Sequence, residues 1–328
     1  MLALTQSQIM QNWNSDNTDN PLVSIECLTY NQEPYISQTL DGFLMQKTDF
    51  PFEVIVHDDA STDRTAEIIR EYEKKFPQII KPIYENENQY SKHDDSLNRI
   101  VTSAIKGKYI AMCEGDDYWI DENKLQTQTD FMEKNPGYGL CYTKCQQFIQ
   151  KNRKFSKKTF GSYVKDFDDL LKNGNRIPTL TTIYRKSLED KYLEEIKPYS
   201  RGWLMGDYPR WLYMVYVSKV KFIDKVTSVY RVLENSASHS DDVEKNLAFS
   251  KSVWNIQNFF SQKYLEKEFP PFDEHYFRAL IYVSRKDRKL AKFEFLQSGR
   301  KDLKTKFYVA ICSSRILFGL LWIYKKLS

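Results

Sequence analysis

The chain has 328 residues, of which 41% are hydrophobic, which suffices for a large folded core in one or two domains and excludes a disordered protein. Its 48 basic and 44 acidic residues are interspersed and leave a net charge of only +4, which excludes general electrostatic attraction as a basis for nucleic acid binding. Five cysteines, an odd count, predict reduced thiols and a cytoplasmic location.

The first part of the chain alternates short apolar runs with amphipathic segments. Residues 1–20 are polar, lack the order of a signal peptide and are expected to form a flexible arm. The runs predicted as strands are 22–28, 52–57, 79–84, 109–113 and 139–148. Helices are predicted at 35–46, after Asp63, at 95–106 and at 123–134. This alternation is typical of βαβ units and of a mostly parallel sheet with helices on both faces, as in a nucleotide-binding half at 21–150.

The second part is less regular. The basic stretch 151–158 is predicted to be a surface loop at the start of a second half, 151–235. In that half Asp207 precedes Pro209 by two residues, which predicts the start of a helix, and 220–232 is predicted as one or two strands. A helical region at 236–300 follows, with helices at about 241–265 and 273–297.

The last segment, 301–328, has an apolar run flanked by lysines. A membrane-spanning helix needs about 20 apolar residues, and Arg315 lies near the middle of this run. We therefore predict an amphipathic helix in the membrane interface, which would hold the protein at the inner face of the cell membrane. A helix packed on the domain or on a second subunit is the alternative.

Two predicted strands end in clustered carboxylates. The strand at 109 leads into Glu114, Asp116 and Asp117, and the strand at 52 leads into Asp58 and Asp59. Parallel sheets bind ligands at the carboxyl ends of their strands, where Mg²⁺ and Mn²⁺ prefer oxygen ligands. Like charges at short range repel by about 1 kcal/mol or more, so such clusters call for a cation or for hydrogen-bond donors. Acidic turns that cap the following helices are the alternative.

Five segments together resemble the family 2 glycosyltransferases of the GT-A fold over about residues 21–235. They are VSIECLTYN at 23–31, DDASTDRT at 58–65, GKYI at 107–110, EGDDYW at 114–119 and GDYP at 206–209. The resemblance implies an α/β fold with a Rossmann-like, mostly parallel sheet, followed here by a helical extension. It also implies inverting transfer of a sugar from a nucleotide diphosphate sugar, with a UDP-sugar favoured, and a Mn²⁺ or Mg²⁺ ion. The expected acceptor is a glycan or lipid-linked molecule in bacterial cell-surface polysaccharide synthesis.

The same resemblance assigns the residues around the donor nucleotide. Thr29 and Tyr30 would border the nucleobase pocket, and Asp59 would accept a hydrogen bond from the base. These residue types suit the roles, because an aromatic face stacks on a base and a carboxylate accepts its N–H groups. Arg99 and Arg231 are candidates for contact with the diphosphate.

The resemblance also assigns the residues of the chemical step. Asp116 and Asp117, with Glu114, match the acidic motif that holds the ribose and the metal-bridged diphosphate. Asp207 matches the general base that takes the proton of the acceptor hydroxyl, on the face opposite the leaving group. A helix-capping carboxylate is the alternative for Asp207. His239 lies near a position where some relatives use a histidine, and a surface histidine is the alternative.

Two other functions remain open at this point. A nucleotidyl or phosphoryl transferase on a similar sheet would need a glycine-rich phosphate loop, and the chain has neither of the usual patterns. The second alternative is a catalytically inactive GT-A protein that binds a sugar or nucleotide at the membrane, since a fold does not establish activity.

Overall fold

The computed structural model describes residues 4–14, 20–92, 94, 96–233 and 242–327. The chain forms two compact units, Met1–Gly202 with Gly206–Leu233 and Trp203–Met205 with Glu234–Ser328. The first unit contains the sheet, and the second is helical wherever it has regular structure in the described residues.

The first unit is built on a mixed sheet. Its strands are β1 (Val23–Thr29), β2 (Phe52–Asp58), β3 (Ile80–Tyr84), β4 (Tyr109–Met112), β5 (Tyr118–Trp119), β6 (Tyr138–Ile149), β7 (Lys154–Phe160), β8 (Ile183–Arg185) and β9 (Lys219–Val232). The order is β3-β2-β1-β4-β8-β6-β9-β5, with β7 paired to β6. The first four strands in this order are mutually parallel, as the predicted alternation of strands and helices requires. Strand β8 runs antiparallel to both β4 and β6.

Helices alternate with these strands along the first part of the chain, as the sequence predicts. They are α1 (Gln6–Met10), α2 (Ile36–Leu44), α3 (Thr65–Lys75), α4 (Ser96–Ala104), α5 (Lys124–Lys134), α6 (Phe167–Asn173), α7 (Lys186–Ile196) and α8 (Asp207–Val217). Helix α2 buries Ile36, Leu40 and Phe43, which lie three or four residues apart and so share one face. Strand β2 is buried at every position, because helices cover both faces of a parallel sheet.

Two local predictions in this unit are wrong. The polar segment 1–20 is not simply an arm, because residues 6–10 form α1, where Thr5 and Gln8 make a capping box and Ile9 is buried. The stretch 151–158 is not a loop, because β7 begins at Lys154 and pairs antiparallel with β6. Strand β7 is exposed along most of its length, so it lacks the apolar alternation by which strands are recognised.

The second unit contains five helices within the described residues. They are α9 (Val243–Leu265), α10 (Glu274–Ser284), α11 (Arg288–Gln297), α12 (Leu303–Ser313) and α13 (Arg315–Leu327). The single helix predicted at 273–297 is interrupted, because Lys286 adopts a positive φ of 63° and Asp287 caps α11. The predicted tail helix is likewise divided at Ser314, which is extended. Within the described part of the chain, no helix has the length and apolarity to cross a bilayer.

Candidate active site

The carboxyl ends of β1, β2 and β4 lie together at one edge of the sheet. Thr29 at the end of β1 is in register with Asp58 at the end of β2. The amide of Asp59 donates to the carbonyl of Thr29 at 3.0 Å, and the amide of Gly115 donates to that of Leu28 at 2.9 Å. Both acidic turns are therefore attached to the end of β1, as parallel strands require.

Asp59 anchors a loop beside the expected nucleobase pocket. One of its carboxylate oxygens accepts from the amide of Gln89 at 2.6 Å, and the other accepts from the amide of Tyr90 at 3.0 Å. Each carboxylate oxygen can accept one more hydrogen bond, so Asp59 is still able to accept from a nucleobase. That hydrogen bond stays a prediction. Tyr30, 47% exposed, presents its ring at the neighbouring strand end.

Two buried oxygens beside the second acidic turn have no hydrogen-bond partner among the described residues, Thr29 Oγ1 and Gln32 Oε1. Both lie against Gly115, where a Cβ would come within 2.9 Å of Thr29 Cβ and still closer to Gln32 Oε1. Buried polar atoms without partners are rare and call for an explanation such as a bound ligand. Because Gly115 has no side chain, the acidic turn can lie directly against these two oxygen atoms.

Asp117 differs from the other two carboxylates of its turn. It is 2% exposed, and its Oδ1 accepts from the backbone amide of Arg231 at 2.7 Å. The hydroxyl of Thr39 lies 2.5 Å from its carbonyl oxygen. Burial, and then the charges of Asp116 and Glu114, hold its pKa well above the ordinary range. This geometry favours a structural role for Asp117, while the metal role predicted from the sequence stays a prediction.

Glu114 and Asp116 are only partly covered. Burial raises the pKa of Glu114 to about 7, and the negative charges of Asp116, Asp207 and Glu26 add to this shift. Burial also raises the pKa of Asp116, against the opposing effect of Arg231. Two acidic groups with raised pKa values mark a place where added positive charge would be stabilising.

The pair of carboxylates has the oxygen chemistry that a divalent ion prefers. No group of three or more His, Cys, Asp or Glu side chains placed to hold an ion occurs among the described residues. Mg²⁺ and ions like it are commonly held by one or two carboxylates together with substrate phosphates, so a protein-only cluster of three is not needed. Glu114 and Asp116 are the residues that would hold the ion.

Arg231 holds the acidic turn in place. Its guanidinium lies 4.5 Å from the centre of the Tyr118 ring and 5.0 Å from that of Tyr35. It also donates to the carbonyl of Asp116 and to the side chain of Gln38. The contact of Arg231 with the diphosphate stays a prediction. The contacts by which Arg231 stabilises the acidic turn were not indicated by the sequence.

Arg99 takes no part in these contacts. Arg99 is an exposed residue of α4, and its charge acts on Asp94. The hydrogen bonds that join the acidic turns within the described residues do not include it. Its predicted contact with the diphosphate therefore stays a prediction. His239 lies outside the described residues.

Asp207 is the first residue of α8, and Gly206 is the N-cap. Its Oδ2 accepts from Asn175 Nδ2 at 2.8 Å and from Thr179 Oγ1 at 3.3 Å, and its Oδ1 accepts from the amide of Tyr208 at 2.7 Å. Burial raises its pKa. Arg210, one turn further along α8, lies 3.7 Å from Sδ of Met112, which is two residues before Glu114, so the fold brings the start of α8 and the acidic turn together. In agreement with this, the charge of Asp207 raises the pKa of Glu114.

Sequence reasoning missed a buried ion pair next to this site. Nε of Arg210 donates to Glu189 Oε2 at 2.9 Å, and both side chains are buried. Burial raises the pKa of Glu26 to about 7, and the positive charge of Arg210 limits the rise. A charged residue inside an apolar strand, such as Glu26, is the signal that could have indicated a buried partner.

Glu26 is expected to make stability depend on pH. Its folded pKa of about 7 lies above the ordinary 4.5, so the folded state keeps a proton that the unfolded state releases. The free energy of unfolding therefore falls as the pH rises from about 4.5 to about 7 and is level above that. We expect Glu26→Gln to reduce this slope and to be more stable than the parent at pH 8, as measured by urea unfolding from pH 5 to 8.

Glu67→Gln is the matched control for this experiment, because Glu67 is an exposed residue of α3 whose pKa is lowered by Arg64. It should leave the slope between pH 5 and 8 unchanged. Part of the slope should persist in Glu26→Gln, because Glu114 titrates in the same range. Identical slopes in the parent and in Glu26→Gln would contradict the prediction.

Residues 24–192 match the sequence model of glycosyl transferase family 2. The chain belongs to this family. The match covers β1 to α7 and ends before Asp207, so it includes both acidic turns but not the predicted base. The family membership predicted from the five segments is confirmed.

Curated relatives extend the comparison. The chain is 40% identical over 165 residues to an uncharacterized protein of Mycobacterium tuberculosis, a match that covers 50% of the chain and 47% of that protein. It thus spans about half the length of this relative. It is 26% identical over 252 residues, covering 76% of the chain and 90% of the relative, to the UDP-Glc:alpha-D-GlcNAc-diphosphoundecaprenol beta-1,3-glucosyltransferase WfgD of Escherichia coli.

A solved structure establishes the fold class. The chain is similar to the mannosyltransferase PcManGT of Pyrobaculum calidifontis in complex with GDP-Man and Mn²⁺, with a TM-score of 0.51 and 17% identity. The similarity covers 96% of the chain and 91% of PcManGT. At this identity the likeness concerns the fold, and it confirms the predicted GT-A architecture.

Proposed function

We propose that the chain is an inverting, metal-dependent glycosyltransferase of the hexosyltransferase type. It would transfer a sugar from a nucleotide diphosphate sugar to a hydroxyl group of a glycan or lipid-linked acceptor. The observation that carries this proposal is the proximity of Asp207 to the Glu114–Asp116 turn. Such a displacement needs a carboxylate that acts as the base and an acidic turn that faces the donor phosphates, both at the same end of the sheet.

The names of the similar proteins support the substrate classes. WfgD is named for a UDP-sugar donor and a diphosphoundecaprenol-linked acceptor, and PcManGT is in complex with GDP-Man and Mn²⁺. We propose a UDP-sugar as the donor and a lipid-linked or growing cell-surface glycan as the acceptor. Thr29, Tyr30 and Asp59 would form the side of the site that receives the base.

Asp207 would act on the acceptor hydroxyl. Asn175 and Thr179 both donate to its Oδ2, and this orients the carboxylate. Its raised pKa makes it a stronger base than an exposed aspartate. Glu114 and Asp116 would hold the ion, which when bound offsets the negative charge that develops on the departing diphosphate. Arg231 would keep this turn fixed through the Asp116 carbonyl.

For the location, we propose a peripheral protein at the inner face of the membrane. The basic and apolar tail, residues 301–328, would be the attachment. This position suits a lipid-linked acceptor, because its reacting sugar would lie near the bilayer surface.

A panel of nucleotide diphosphates and nucleotide sugars would test the proposal. We expect one nucleotide class to raise the melting temperature in the presence of Mn²⁺ or Mg²⁺, since ligand at 100 times its Kd stabilises a protein by about 2.7 kcal/mol. Chelation should abolish the shift, and the matching sugar donor should be hydrolysed slowly. Binding without any turnover would identify an inactive binding protein. Failure of every nucleotide to bind would exclude the proposed donor site.

A further inference from the structure

Large apolar side chains are exposed on one face of α11. Leu290, Phe293 and Leu296 are spaced three residues apart, so they lie on the same side of the helix, and Phe293 is 57% exposed. The opposite face of α11 carries Ala291 and Phe295, which are buried in the core of the second unit. A helix that is apolar on both faces lacks a partner for one of them.

The next two helices also carry exposed large apolar side chains. On α12, Leu303 is 85% and Phe307 60% exposed, and on α13, Ile316 is 76% exposed. Of the nineteen exposed large hydrophobic residues in the described part of the chain, eight lie between 290 and 320. We use the name α11–α13 apolar surface for the exposed faces that carry these eight residues: Leu290, Phe293, Leu296, Leu303, Phe307, Ile316, Leu317 and Leu320. Such a concentration marks an interaction surface.

The same region is strongly basic. Residues 285–315 contain ten basic and three acidic residues. The net positive charge of this region exceeds the net charge of the whole chain, +4, so the remaining residues carry a net negative charge. Lys289, Lys304 and Lys306 are exposed beside the apolar side chains on α11 and α12. Lysines at such positions can extend their ammonium groups to an anionic partner while their stems cover apolar surface.

We propose that the α11–α13 apolar surface docks on an anionic lipid bilayer, with α11 as part of the contact. Exposed apolar residues would enter the interface between headgroups and acyl chains, and the lysines would meet the lipid phosphates. A second copy of the chain is a poorer occupant, because a symmetric dimer would place two identical basic surfaces against each other. The contact deepens the proposed attachment through residues 301–328 but does not depend on glycosyl transfer.

Flotation of the full-length chain with vesicles tests the proposal. We expect binding to vesicles of phosphatidylcholine and phosphatidylglycerol, weak binding to phosphatidylcholine alone, and weaker binding at high salt. The double variant Phe293→Ser, Leu296→Ser lies outside the 301–328 tail and should lower the partition coefficient about tenfold or more. Tyr163→Ser, at an exposed aromatic residue of the first unit, is the matched control and should float like the parent.

Point substitutions test membrane binding more clearly than truncation does. A shortened chain would lose Ile311, Cys312 and Phe318, which belong to the core of the second unit. Urea unfolding should show that the double variant stays folded, since both residues are exposed. Equal flotation of the variant and the parent would overturn the role of α11. Equal binding to neutral and anionic vesicles would overturn the electrostatic part, and a dimer that dissociates in the variant would assign the surface to a second copy. None of these measurements needs a sugar donor, so they are independent of the proposed activity.

Discussion

Replacing Asp207 by asparagine is expected to lower kcat by about 10²–10⁴-fold with little change in donor affinity. The amide keeps the size of the side chain and can still accept hydrogen bonds, but it cannot take a proton from the acceptor hydroxyl. Asn175 and Thr179, which donate to Asp207 Oδ2, should keep the new side chain in place. Steady-state kinetics with the donor and acceptor, together with calorimetric donor binding, would measure both quantities.

The pH profile provides a second readout for Asp207. Burial raises its pKa, so the rate should fall on acidification at a pH above the ordinary value of 3.8. Because the ionised form is disfavoured in the folded state, Asp207→Asn should not lower stability above that pH. Asp166→Asn is the control, since Asp166 caps α6 and accepts from the amide of Asp169 at 2.8 Å. That variant keeps an oxygen that can cap α6, so it should change stability little and keep its kcat. A kcat near the parent value in Asp207→Asn would rule out the base role.

Asp116→Asn is expected to lower the metal-dependent rate by about 10²-fold or more and to raise the metal concentration needed for half-maximal activity. Asparagine removes the negative charge that would hold a divalent ion beside the diphosphate. Asp117→Asn is the matched comparison one residue further on. Its Oδ1 could still accept from the amide of Arg231, so we expect it to keep its metal dependence. Initial rates over a Mn²⁺ titration distinguish the two variants.

The outcome also decides between the two assignments of Asp117. The sequence resemblance places it among the metal ligands, whereas its buried carboxylate is engaged by the backbone of β9. A shared loss of metal affinity in both variants would restore the metal role of Asp117. Loss in Asp116→Asn alone would leave Asp117 as the group that fastens the acidic turn to β9.

Much of the candidate site could be predicted because its residues are adjacent in sequence. Glu114 to Asp117 follow a strand directly, so the parallel alternation alone locates them at the strand edge. The role of Arg231 could not be predicted in this way, because its contacts with Asp116 and Tyr118 join positions more than a hundred residues apart. The pairing of Arg210 with Glu189 is closer in sequence, but it joins two different helices, α7 and α8, and the packing of one helix against another cannot be derived from the spacing of residues along either of them.

The sequence by itself determined the parallel α/β half, the two acidic turns and the family, because these depend on periodicity and on motifs that are local in the chain. Only the tertiary structure decided that Asp117 is buried while Glu114 and Asp116 stay partly covered, and that the helix beginning at Asp207 packs beside the acidic turn through Arg210 and Met112. Only the packing of α10 to α13 revealed the apolar surface of α11, since its sequence carries large apolar residues on both faces. Which of two apolar faces is buried depends on neighbouring helices, and spacing along one helix cannot specify it.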